Sequence, residues 1–225
     1  MIEVVCVKWG DLYSPNYVNK LFRAVSRNTN RDFNFTCYTE DRNGVDKSIN
    51  CHDLPVKVLN GWWNKMYLFS SDAGLRDKRV LYFDLDTVIV NDINELMDFT
   101  GPFGIIRDLY FARRKPDAYA FGSGVMAWQG QEWTEQIWSN FYGGWERNVR
   151  TGGGDQKYLE KVLPKNKVIF WQDYLKEHKL ISYKAHVRDT PPTNVVPDNT
   201  NVVCFHGKPR PHEMETLPWM KQHWK

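Results

Sequence analysis

The sequence predicts an α/β protein whose central sheet is mixed but mostly parallel, with helices on its faces. Three observations lead there. The chain opens with two short apolar runs, 2–7 and 33–39, separated by a segment of helical period, and this β-α-β order favours parallel pairing. Further short runs rich in Val, Ile and aromatic residues recur at 78–83, 88–90, 104–107, 125–128, 168–171, 181–184 and 202–205. Several of the intervening segments carry apolar residues at helical spacing, the pattern of helices packed on a sheet.

The elements follow in order. Residues 2–7 (I-E-V-V-C-V) read as a buried first strand and 8–13 (K-W-G-D-L-Y) as the loop after it. Ser14 and Pro15 read as N-cap and first helical residue, and Tyr17, Val18, Leu21, Phe22 and Val25 share one face of the helix they open. That helix fades in R-N-T-N, 27–30. F-N-F-T-C-Y-T, 33–39, is the second strand, closed by E-D-R-N-G. Residues 62–71 predict another helix, stopping near Gly74. K-R-V-L-Y-F, 78–83, is a strand that runs straight into Asp84, and 88–90 is a short strand beyond it. Residues 131–142 place Trp133, Ile137, Trp138 and Phe141 at helical spacing. The glycine loop T-G-G-G-D-Q, 151–156, leads into a helix with Tyr158, Leu159, Val162 and Leu163 on one face. The Pro-rich stretch 190–200 is a loop. No internal repeat, low-complexity tract or linker divides the 225 residues, so one domain is expected.

Composition narrows the class. Apolar residues make up 42% and charged residues 25%, ordinary for a soluble globular chain. A net charge of +3 and a pI near 8.6 are too mild to argue for nucleic acid. The ten Trp offer flat faces to sugar rings or bases, although most large rings belong to cores. Cys6, Cys37, Cys51 and Cys204 lie far apart with no C-x-x-C pair, which fits reduced thiols better than zinc. With no leader-like or transmembrane-length run, a cytoplasmic location is expected.

The chemistry gathers at V-L-Y-F-D-L-D-T-V-I-V, residues 80–90. Asp84 and Asp86 carry like charge between strongly apolar flanks, and burial penalises both. A divalent cation, Mn²⁺ or Mg²⁺, is the simplest compensation. Residues i and i+2 of an extended chain point the same way, so both carboxylates could converge on one ion. The plain alternative is a turn in which one Asp caps and neither binds. D-L-D-T-V also fits a haloacid-dehalogenase-type phosphatase with Asp84 as phosphoryl nucleophile. That motif normally opens its fold, whereas here a complete β-α-β unit precedes it. The later acidic pair is also missing, since Gly154-Asp155 is followed at 159 by Leu. The other chemistry is glycosyl transfer from a nucleotide sugar, whose diphosphate leaving group needs a Lewis acid. An imidazole suits Mn²⁺, and His206 ends the apolar run 202–205 in V-V-C-F-H-G-K-P. Gly207 would allow close approach and Lys208 would meet a phosphate. Alone, His206 reads as a hydrogen-bonded edge histidine.

Taken together, these motifs resemble the retaining GT-A glycosyltransferases related to glycogenin and to bacterial lipooligosaccharide galactosyltransferases. The metal block 80–90 is the closest match. W-W-N-K-M, 62–66, resembles a helix whose basic residue, here Lys65, reaches the donor. F-G-S-G-V-M-A-W, 121–128, resembles the family's F-N-x-G-V strand, with Gly122 where the family has a sugar-contacting Asn and Ser123 next to it. Asp155-Gln156 resembles the D-Q pair near the reacting sugar carbon. F-H-G-K-P resembles the C-terminal metal histidine with its phosphate lysine, at shorter spacing.

The resemblance implies a single Rossmann-like GT-A domain over 1–225. Residues 1–100 would form the nucleotide-binding half and 101–225 the sugar and acceptor half. It implies transfer of a hexose from a UDP-sugar to a hydroxyl of a glycan, lipid-linked or protein acceptor, with retention. Asp84, Asp86 and His206 would hold Mn²⁺ or Mg²⁺. Lys65, Asp84, Leu85, Asp86, Gly122, Ser123, Gly207 and Lys208 would line the donor, and Asp155 and Gln156 the reacting carbon. Lys8, Trp9 and Tyr13 follow the first strand, where such folds seat the base, and Thr39 would touch base or ribose. Asp108 would contact the donor sugar. Each has a bland reading beside it: surface packing for Trp9 and Tyr13, a loop ion pair for Arg107-Asp108, a solvated helix for Lys65, and a helix cap for Asp155. The run Gly152–Gly154 is a candidate loop over the site. The tail L-P-W-M-K-Q-H-W-K would rest on a membrane surface, cover an acceptor site, or pack its Trp residues onto the domain. A non-catalytic nucleotide-sugar or carbohydrate-binding module and a nucleotidyltransferase remain alternatives.

Overall fold

The computed structural model describes residues 1–55, 59–109, 119–151, 153–176 and 178–225. Among these residues ten strands build two sheets. In chain order they are β1 (Ile2–Lys8), β2 (Phe33–Thr39), β3 (Asn50–Asp53), β4 (Arg79–Phe83), β5 (Thr87–Ile89), β6 (Phe103–Arg107), β7 (Phe121–Gln129), β8 (Val168–Phe170), β9 (Leu180–Ser182) and β10 (Val202–Cys204). The larger sheet has the order β3-β2-β1-β4-β7-β6-β8, and the smaller β5-β10-β9. In the larger sheet β7 runs antiparallel to β4 and β6, and the other pairings are parallel. The mixed, mostly parallel sheet expected from the sequence is the one observed.

Side-chain alternation splits the core between the faces of this sheet. Val4 and Cys6 of β1, with Leu81 and Phe83 of β4, face the helix Pro15–Arg27 through Val18, Leu21 and Val25. Val5, Val80 and Tyr82 face the other way, onto Trp63, Met66, Trp128 and Phe141. All of these are buried, each full burial contributing roughly 1.5–3 kcal/mol. The C-terminal helix Pro218–His223 packs onto the first face, with the Trp224 ring 4.9 Å from Tyr17, so the tail takes the packing role.

Several expectations change in detail. The helix starts at Pro15 as read, but the Ser14 hydroxyl makes no cap bond. Residues 62–71 are not an α-helix. They form a 3₁₀ helix, Gly61–Phe69, and a short turn, Ser71–Ala73, that ends at left-handed Gly74. All residues from Trp63 to Phe69 are buried, so enclosure on every side, not an amphipathic stripe, sets this backbone. The strand expected at 168–171 stops at Phe170, because Trp171 turns into a one-turn helix and donates its indole N–H to Val125 O at 3.0 Å. The strand expected at 181–184 stops at Ser182, whose Oγ accepts from Ala185 N at 3.2 Å and starts the π-helical turn Tyr183–Arg188. The strand expected at 125–128 begins earlier, at Phe121, beyond a register shift in β6 between Ile105 and Ile106. Gly152 lies outside the described residues.

A close approach of two backbones locks the end of β7 to the turn before β4. Asp77 N donates to Gly130 O at 2.7 Å and Gly130 N to Lys78 O at 2.8 Å. A Cβ on Gly130 would stand 1.8 Å from the Leu75 carbonyl oxygen, which is backbone and cannot rotate away. Gly130→Ala should therefore lower unfolding free energy by about 1–3 kcal/mol, read as a shifted urea midpoint at unchanged slope.

Candidate active site

A cavity of about 530 Å³ opens beyond the C-terminal ends of β1 and β4. Open α/β sheets bind ligands at this edge, where neighbouring connections part. The inner wall comes from the acidic step. Asp84 N still donates to Gly124 O of β7, at 2.8 Å, and Thr87 N donates back to Asp84 O at 3.1 Å. The segment thus leaves the sheet in a tight turn, not as an extended strand, yet Asp84, Leu85 and Asp86 all border the cavity.

Lys65 organises this wall. It is 5% exposed, and its Nζ lies 3.0 Å from both Asp84 Oδ1 and Asp155 Oδ2. Its Nζ also donates to Ser123 Oγ at 2.9 Å, and that hydroxyl donates to Asp155 Oδ2 at 2.6 Å. Burial works to strip the proton from Lys65, but the charges of Asp155 and Asp84 outweigh it and hold the ammonium above its ordinary value. Asp155 is the first residue of the helix Asp155–Val162; Gly154, at φ 102°, fills the cap position, and the Asp155 carboxylate is used for the ion pair.

Two phenols finish the acidic wall. Tyr82 Oη donates to Asp84 Oδ1, and Tyr13 Oη donates to Asp86 Oδ2 at 2.9 Å. Burial first, and the neighbouring carboxylate next, push both phenols well up, so they stay protonated donors. Asp86 is 8% exposed. Burial and the Asp84 charge push its carboxyl up to about 7, against the opposing pull of Tyr13 and Lys65.

A second cavity of about 330 Å³ meets the first along Asp84, Gln156, Phe205 and His206. Asp108, Gly122 and Lys184 belong to this smaller space. Phe205 N donates to Asp86 O at 3.1 Å, which holds the His206 segment against the acidic step. His206 Nε2 lies 2.7 Å from Ser182 Oγ. Burial, then the Lys184 charge, hold the imidazole below its usual value and so in the neutral form.

Most expected residues come together here: Trp9, Tyr13, Lys65, Asp84, Leu85, Asp86, Ser123, Asp155, Gln156, His206 and Gly207 line the larger cavity. Asp108 and Gly122 line the smaller one. Three do not reach either. Lys8 alternates inward from Val7 and Trp9 and donates its Nζ to Gly10 O at 3.4 Å. Thr39 is buried, its hydroxyl closing a turn with the Asp41 backbone at 2.9 Å. Lys208 is exposed and outside both cavities. The sequence reading missed Tyr82, Trp62, which stands 63% exposed on the cavity wall, and Lys184. Tyr82 could have been found, because it lies two residues before Asp84 on the same strand face.

The donor chemistry of the wall fits a hard divalent ion, with two carboxylates and a neutral imidazole on one cavity. The spacing is open: among the described residues, no three His, Cys, Asp or Glu side chains stand close enough to hold an ion as they are placed. Tyr82→Phe, which keeps the ring and deletes one donor to Asp84, should cost about 1.5–3 kcal/mol of stability in chemical denaturation.

No family model matches the sequence, and no curated protein does. Solved structures do match. The galactosyltransferase LgtC, in complex with donor and acceptor sugar analogs, superposes with a TM-score of 0.67 at 16% identity, over 98% of this chain and 93% of that one. The glycosyltransferase GlyE of Streptococcus pneumoniae TIGR4 superposes with 0.66 at 12% identity, over 99% of this chain and 63% of that one. Mouse xyloside xylosyltransferase 1, in its apo form, gives 0.58 at 14% identity, over 92% and 98%. The chain has the GT-A fold of these glycosyltransferases, as the resemblance implied.

Proposed function

We propose that the protein transfers a hexose from a UDP-sugar to an acceptor hydroxyl, with a divalent cation and with retention. One observation carries this: the buried Lys65–Asp84–Asp155 cluster and Asp86 form one wall of the large cavity at the sheet edge, within a glycosyltransferase fold that spans the chain. Sugar transfer breaks a C1–O bond and leaves its electron pair on a diphosphate, while the carbon becomes cationic. Both charges need groups fixed before reaction. Asp84, Asp86 and His206 would hold Mn²⁺ or Mg²⁺, which supplies Lewis acidity to the diphosphate when bound.

The other roles follow from placement. The larger cavity takes the nucleotide, with Trp9 and Tyr13 at the loop after β1 near the base. Asp155, fixed by Lys65 and Ser123, keeps negative charge near the reacting carbon, and Gln156 borders both cavities. The smaller cavity, meeting the larger along Asp84, Gln156 and His206, gives the acceptor hydroxyl its approach. A phosphatase fits less well, because a complete β-α-β unit precedes the acidic step and no second acidic pair follows it in the sequence. Among the described residues no helix is long and apolar enough to cross a membrane. A cytoplasmic site of action joins the proposal on the strength of four unpaired cysteines.

Calorimetric titration with UDP-glucose and UDP-galactose should show binding with Mn²⁺ present and little once it is chelated. Asp84→Asn and Asp86→Asn should each weaken it by roughly 10–100-fold while leaving the circular dichroism spectrum intact. Slow turnover should release UDP; release of pyrophosphate would indicate a nucleotidyltransferase, and binding without turnover a non-catalytic module.

A further inference from the structure

The cations of the larger cavity do not balance its acids. Lys65 is shared between Asp84 and Asp155, and Asp86 adds another carboxylate. A nucleoside diphosphate brought to this wall meets more negative than positive charge. Beyond any divalent ion, an ammonium not already engaged by a carboxylate is needed where the phosphates sit. Lys208, the residue the sequence offers, is exposed and outside both cavities.

Lys184 meets the requirement. It is half-buried, borders the smaller cavity beside His206, and makes no ion pair with a carboxylate among the described residues. Its position follows from the end of β9. Ser182 stops the strand, accepts from Ala185 N, and lies 2.7 Å from His206 Nε2, so the turn that carries Lys184 is fastened to the histidine corner. Across that corner stands Gly207, which lines the larger cavity with φ 70°. A Cβ on Gly207 would sit 3.6 Å from Lys184 Nζ, so the ammonium lies within contact distance of the glycine that borders the larger cavity.

We infer that Lys184, reaching past Gly207, is the cation that neutralises the terminal phosphate of the departing nucleoside diphosphate, the role the sequence assigned to Lys208. This rests on the nucleotide-sugar reading above. As the donor C1–O bond breaks, its electron pair stays on the phosphate oxygen. The acceptor oxygen bonds C1, and its proton passes to the departing diphosphate. Lys184 remains protonated throughout and stabilises the added charge.

The test is calorimetry in MnCl₂ with UDP and, separately, with uridine, on the wild type and on Lys184→Met, Lys184→Gln, Lys184→Arg and Lys208→Met, each checked for an unchanged thermal midpoint. Lys184→Met and Lys184→Gln should weaken UDP binding by about 10–100-fold and leave uridine binding unchanged. Lys184→Arg should restore part of the loss, and Lys208→Met should bind UDP as the wild type does. UDP binding unchanged in the folded Lys184→Met and Lys184→Gln proteins overturns the assignment, as does a loss confined to Lys208→Met. Equal losses for uridine and UDP also overturn it, since they mark a merely structural residue. A wild type that binds no UDP removes the nucleotide-sugar reading and this inference with it.

Discussion

An ammonium buried to 5% exposure between two carboxylates is the constraint on which the site depends. Desolvating a lysine costs several kcal/mol, and only close, hydrogen-bonded partners offset that. Lys65 has them in Asp84, Asp155 and Ser123. These four come from separate elements: the 3₁₀ helix Gly61–Phe69, the end of β4, the start of the helix Asp155–Val162, and β7. One cation therefore fastens the acidic step of the first half of the chain to the D-Q pair of the second. The 3₁₀ segment, buried from Trp63 to Phe69, delivers that ammonium to the sheet edge.

The remaining charge is handled by proton donors. Tyr13 and Tyr82 each offer a phenol to a different carboxylate, and burial keeps those phenols from ionising. Asp86 has its carboxyl raised by burial and by the neighbouring Asp84 charge, against the pull of Tyr13 and Lys65. Such a wall suits a substrate that arrives with its own counter-charge and departs with more. The two cavities meet at Asp84, Gln156, Phe205 and His206.

How much of this could be read from residues alone depends on whether a segment keeps a solvent face. The helix Pro15–Arg27 buries one stripe, so its period announced it. β1 from Val4 to Val7 and β4 from Val80 to Phe83 are continuous apolar runs because both sheet faces are covered, and the jump to Asp84 stood out against them. Residues 63–69 are buried on all sides, so their period carried no information about helix type. β3, N-C-H-D, is polar and edge-lying, and left no signal. Among site residues, the acidic step was legible because two like charges between apolar flanks need a partner, whereas Lys65 and Asp155 were offered only by the resemblance of the motifs around them. Lys8 and Thr39 misled because a strand end is only half a prediction, and alternation and a local turn took both side chains elsewhere. Lys184 was invisible, since the approach of β9 and β10 that brings it to His206 is a tertiary fact.

The most direct measurement is a double-mutant cycle between Lys65 and Asp155, with Lys65→Met, Asp155→Asn and the pair compared by chemical denaturation. A buried ion pair that organises the site predicts a coupling of about 1–3 kcal/mol, the double variant losing less than the sum of the single ones. Losses that add to within about 0.5 kcal/mol would mean that the two groups do not act on each other, and the site would have to be held together by something else.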